Sequence, residues 1–173
     1  MSEMDRGSNN MKNNIEHPWE NDAEYMAIVG DLLATKEVQK LDEIVHHHYT
    51  TRLIHCLNVS YNGYKVAKKM GWKYEETARA GLLHDLFYED WRTTTYDKGS
   101  YAYNHPRVAY ENASKLTDIS DLEKDIIIKH MWGATIAPPK YKESFLVTFV
   151  DKYCAIKESS VPAFQQLKLK IKN

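Results

Sequence analysis

Apolar residues recur at intervals of three and four along most of the chain, the spacing of helices with one inward face. Tyr25, Ile28, Val29, Leu32 and Leu33 form such a stripe and predict a helix over 22–35. A second runs from 36 to about 49, and a third, longer one from about 51 to 70, where Gly71 suits the stop. A fourth covers 74–86. A fifth opens at His105-Pro106 and ends near Leu116; proline favours the first helical position, which places His105 at the N-cap. Ser120-Asp121-Leu122-Glu123 reads as a capping box and starts a sixth helix that ends near Trp132-Gly133. Pro138-Pro139 break the chain before a seventh over about 141–158. Seven glycines and five prolines punctuate 173 residues, β-branched runs are short and no repeat is present, so the pattern predicts an all-α, single-domain bundle of about seven helices. Residues 1–17 are expected to be a disordered tail, 18–160 the helical domain, and 161–173 a basic tail, frayed or helical, carrying Lys168, Lys170 and Lys172.

Composition narrows the classes. Lys plus Arg number 23 against 24 Asp plus Glu, a net charge of −1, so no basic excess is present to hold a nucleic-acid polymer or an anionic membrane. Mean hydropathy is −0.60 and no stretch approaches the ~20 apolar residues of a membrane span. The start is polar and unlike a secretory signal. Cys56 and Cys154 make no disulfide framework; each lies in a helical apolar pattern and reads as a small buried hydrophobe, in keeping with a cytoplasmic protein.

The eight histidines change the picture. His48, Arg52 and His55 are spaced i, i+4, i+7 and share a face of the third predicted helix. Ala78, Leu82 and Asp85 repeat the spacing on the fourth, so a core stripe ends in a carboxylate, with His84 beside it. Leu122, Ile126 and His130 share a face of the sixth, and Val147, Asp151 and Cys154 one of the seventh. A lone buried histidine is most often a satisfied core residue. A buried carboxylate, however, must meet a cation, a donor or a metal. Imidazoles and carboxylates converging from separate helices point to a Zn, Mn or Fe site of catalytic rather than structural type.

His55, then His84-Asp85, then Asp151 resembles the H…HD…D signature of the HD-domain metal-dependent phosphohydrolase superfamily, with 29 residues from His55 to His84 and 66 from Asp85 to Asp151. The likeness spans roughly residues 36–158. His105 and His130 resemble the extra histidines of its binuclear subset, which includes symmetrical diadenosine-tetraphosphate hydrolases. The resemblance implies one metal on His55, His84, Asp85 and Asp151, with Asp85 bridging to a second held by His105 and His130. The ions would be divalent Fe, Mn, Zn, Co or Ni, one or two per chain. Leu86-Phe87-Tyr88 stands where some members carry Ile-Gly-Lys, and the GYP signature of the cyclic-di-GMP branch is missing, so cyclic-dinucleotide specificity is not carried over.

The expected activity is hydrolysis of a phosphate ester or anhydride of a nucleotide-like small molecule. Bound metal, or a pair about 3.5–4 Å apart, lowers the pKa of a water so that hydroxide attacks at neutral pH. Asp85 stands at the centre of this chemistry. Arg52 offers a planar fork for phosphate, His48 a proton for the leaving oxygen, and Lys152 a phosphate contact. Each has a plain alternative: an ion pair for Arg52, the surface for His48, solvation for Lys152. The loop predicted over 87–104 carries Phe87, Tyr88, Trp91, Tyr96, Tyr101 and Tyr103, placed either to stack a nucleobase or to pack the loop down. Two rivals share the ligand set: a di-iron oxygenase, and a non-catalytic metal-stabilised module that binds a nucleotide. The oligomeric state, a homo-oligomer included, is open.

Overall fold

The computed structural model describes residues 17–46, 50–90 and 93–171, with the backbone alone at 46 and 161–171. Among these lie seven α-helices: α1 (Ala23–Leu33), α2 (Lys36–Gln39), α3 (Arg52–Lys69), α4 (Tyr74–Leu83), α5 (Tyr101–Leu116), α6 (Asp121–Lys129) and α7 (Lys142–Ile171). They form an all-α bundle with α3 at its centre, packed against α4 and α7, while α6 bridges α4, α5 and α7. Tyr25, Val29, Leu32, Leu57, Leu82, Leu83, Ile126, Ile127 and Val147 fill the core between them.

The helix starts follow from side-chain caps. Asp22, Thr35, Thr51, Ser100 and Ser120 each accept a backbone N–H from the first turn. The capping box predicted at Ser120 forms in both directions, with Ser120 N to Glu123 Oε2 at 2.8 Å and Glu123 N to Ser120 Oγ at 3.2 Å. Gly71, at φ 66°, closes α3 in the left-handed region that glycine tolerates.

Several boundaries differ from the sequence expectation. The second predicted helix is only the short α2, continued by a 3-10 turn over Lys40–Glu43 and a two-stranded antiparallel hairpin, β1 (Val45–His46) with β2 (Thr50–Thr51). Thr51 caps α3 from an extended backbone and donates its hydroxyl to Asp42, so no helix can run through it. The fifth helix begins at Tyr101, not at His105. Ser100 is its cap, and Asn104 ties back to the carbonyls of Lys98 and Ser100, which leaves His105 in the second turn beside an internal Pro106. The seventh helix does not end near 158: the α7 backbone stays helical to Ile171, so the basic end follows the helical alternative.

The α3–α4 crossing is unusually close. A Cβ on Gly81 would lie 2.8 Å from the Ser60 Cα. Ser60 Oγ donates to the Ala78 carbonyl at 2.6 Å and accepts the Tyr25 hydroxyl at 2.7 Å. Gly81 lies three residues before His84, so this crossing positions the end of α4.

Candidate metal centre

All six residues expected to ligate metal converge, from five elements. His55 comes from α3, His84 and Asp85 from the end of α4, His105 from α5, His130 from the end of α6 and Asp151 from α7. The four histidines and Asp85 are buried, and Asp151 is largely so.

The ends of α4 and α6 are built alike. Each is shorter than its apolar pattern predicts, with a histidine as the C-cap: His84 and His130. A helix leaves its last four carbonyls without intrahelical donors. His84 Nδ1 takes the Gly81 carbonyl at 2.8 Å, and His130 Nδ1 takes that of Ile127 at 2.8 Å. His105 Nδ1 meets the Tyr101 carbonyl at 2.9 Å. A carbonyl can only accept, so Nδ1 carries a proton in all three and Nε2 is the nitrogen turned towards the carboxylates. His55 Nδ1 meets Glu158 Oε2 at 2.9 Å.

The four Nε2 atoms face the carboxylates. His55 Nε2 lies 3.0 Å from Asp151 Oδ1. His84 Nε2 lies 3.7 Å from both Asp151 Oδ1 and Asp85 Oδ2. On the other side of the same carboxylate, Asp85 Oδ1 stands 3.4 Å from His105 Nε2 and 3.5 Å from His130 Nε2. Two buried triads therefore share Asp85: His55, His84 and Asp85, and Asp85, His105 and His130, each able to hold a metal ion. Among the described residues, His84 Nε2 and Asp85 Oδ1 have no hydrogen-bond partner. His105 and His130 point Nε2 at Nε2 across 3.0 Å. Two lone pairs cannot share that gap unless a proton or a cation stands in it.

Burial works against charge throughout the cluster. At Asp85 the positive charge of His84, with that of the imidazoles of His105 and His130, overrides burial and holds the carboxyl well below its usual range. A hydrogen bond from His55 and the positive charge of His84 do the same for Asp151. Burial also opposes protonation of His55, yet Asp151 and Glu158 raise it to about 10. His84 is likewise lifted well above the ordinary imidazole range by Asp85 and Asp151 against burial. His130 goes the other way: burial and the neighbouring His84 push it down to about 3.

Glu158 escaped the sequence reading. It lies two turns beyond Asp151 on α7, at i+7, and its second oxygen accepts from Asn58 Nδ2 at 2.8 Å. The spacing was available, but Glu158 sat at the predicted helix end, where a glutamate reads as solvated.

Arg52 and Lys152, expected to contact phosphate, each hold backbone carbonyls. Arg52 is buried at the start of α3; its two terminal nitrogens donate to the carbonyls of Phe87, at 2.5 Å, and Glu89, at 3.2 Å, and its guanidinium lies 3.7 Å from the Phe87 ring centre. Only Nε is left without a partner. Lys152 donates to the carbonyls of His130 and Thr148 at 3.2 and 3.4 Å, and burial lowers its pKa. His48 and Trp91 lie outside the described residues. Of the other aromatic side chains, Phe87 is buried against His105 and Tyr101, and Tyr101 stacks on His105 at 4.5 Å, so this part of the segment packs down as a wall of the centre.

No family model, curated protein or solved structure matches this chain. Among the described residues no helix is long and apolar enough to cross a membrane.

Proposed function

We propose that the chain is a metal-dependent phosphohydrolase of the HD-domain type, acting on a phosphate ester or anhydride of a nucleotide-like small molecule. One observation supports this most: four buried imidazoles tethered at Nδ1, their Nε2 atoms gathered round a shared carboxylate with buried atoms left unpartnered. Lone pairs collected in this way suit a divalent transition metal. His55, His84 and Asp151 would hold one ion and His105 with His130 a second, with Asp85 serving both. When bound, divalent metal supplies Lewis acidity and an ionised water at neutral pH.

The chain's own residues do the positioning. Glu158 fixes the ring plane of His55, and the Gly81, Tyr101 and Ile127 carbonyls fix the other three rings. Tyr101 and Phe87 cover His105 on one side and keep water from it there. Arg52 pins the segment after Asp85, which holds that carboxylate between the triads.

The test is elemental analysis of protein purified without added metal, joined to phosphate release from a nucleotide panel with Mn²⁺. Bound metal and turnover, both lost in Asp85→Ala, are expected. Oxygen consumption without phosphate release would replace the reading with an oxygenase. Tight nucleotide binding without turnover would replace it with a binding module.

A further inference from the structure

We propose a second ligand site, apart from the metal centre: a groove between the start of α5 and the end of α6 that takes a small organic anion with an apolar body. The groove holds about 380 Å³, within the roughly 300–1,000 Å³ of small-molecule sites. Ser100, Tyr103 and Arg107 line it from α5, Ile128 and Lys129 from α6, and Ile136 from the following loop.

Helix geometry separates it from the metals. At about 100° per residue, Tyr103 and Arg107 lie about 160° round α5 from His105. His105 points inward with Ala109 and Ala113, all buried, whereas Tyr103 is 46% exposed. The groove and the metal centre thus occupy opposite sides of one helix.

Its chemistry is one-sided. No carboxylate lines it, and its two charges, Arg107 and Lys129, form no ion pair among the described residues. Arg107 lies over the Tyr103 ring with its carbon 3.5 Å from the centre, and one terminal nitrogen donates to the Tyr103 carbonyl. That fixes the plane of the fork and leaves its other N–H groups for an anion. Ile136 is 98% exposed, an isoleucine with nothing covering it. Cations call for an anion, and the apolar wall and volume call for more than an inorganic ion.

The probe is naphthalene-1-sulfonate, an aromatic anion with no phosphoryl group to hydrolyse. It is titrated into the full chain, with and without Zn²⁺, and followed by amide NMR. Saturable shifts at Ser100, Tyr103, Arg107 and Ile136 are expected, equal with and without metal and weakened at least tenfold in both Arg107→Gln and Ile136→Asp. Binding as tight by sulfate alone or by neutral naphthalenemethanol overturns the site. So do shifts centred on His55 and His84, no saturable binding, or unchanged affinity in either variant. None of these outcomes bears on phosphohydrolysis, so the site and the proposed activity fail separately.

Discussion

At the scale of single residues, the centre depends on which ring nitrogen carries the proton. Carbonyls settle this for His84, His105 and His130, but a carboxylate does it for His55. A carboxylate partner raises the basicity of the ligating nitrogen as well as orienting the ring, and removing such partners costs on the order of 10–100-fold in metal affinity. Glu158→Gln keeps the shape but leaves one acceptor oxygen for two donors, so with the tie to Asn58 kept it removes both the charge and the acceptor facing His55 Nδ1. Metal affinity, measured by competition with a chelator, is expected to fall by about that factor; unchanged affinity would reduce Glu158 to a helix tether. Tyr96 supplies the opposite case. Its hydroxyl is buried with no partner among the described residues, and an unsatisfied buried polar group costs about 1–3 kcal/mol. Tyr96→Phe is therefore expected to raise the urea midpoint, and a lower midpoint would mean that the hydroxyl is held by something.

At the scale of elements, backbone proximity decides what a substitution does. Gly30 has nothing within 4 Å of where a Cβ would sit, inside α1, whereas Gly81 meets the Ser60 backbone. Gly30→Ala is expected to stabilise by about 0.5–1 kcal/mol through helix propensity. Gly81→Ala is expected to destabilise by about 1–3 kcal/mol by forcing α3 and α4 apart. Because that crossing positions the end of α4, the Gly81 variant should also lose metal affinity; thermal melts with and without metal separate the two effects, and equal stability for both variants would contradict the close crossing. Periodicity made α1, α3 and α6 legible in the sequence and set His55, Asp85, His130 and Asp151 on inward faces, because such faces repeat every three to four residues; the resemblance to the H…HD…D signature, not periodicity, added His84 and His105. Other features were not legible. The hairpin at 45–51 arises from a threonine that caps in an extended conformation, and the start of α5 is set by Ser100 four residues ahead of the more conspicuous proline signal. The end of α4 at His84 depends on a side chain replacing a backbone donor, which an apolar pattern does not record.

For the molecule as a whole, the centre couples metal, protons and folding. An unfolded histidine titrates near 6.5. In the metal-free fold His55 is raised to about 10, and His84 is raised as well. Their contribution to stability is complete below about 6.5 and is lost as pH rises through the folded value. His130, lowered to about 3, contributes above about 6.5 and loses that contribution as pH falls towards 3. Asp85 and Asp151, both depressed, act in the same acid-sensitive sense at lower pH. Metal-free protein is therefore expected to be most resistant to urea near pH 6–7, with the midpoint falling on both sides. Metal takes the Nε2 lone pairs, so it competes with the proton on His55 and removes the alkaline loss. Urea midpoints from pH 5 to 10 in chelator should show a falling alkaline limb that added metal flattens, and metal added at pH 8 in weak buffer should release protons. A flat alkaline limb in chelator, or metal uptake with no acid released, would mean that His55 does not stand between Asp151 and Glu158 as a cation awaiting replacement.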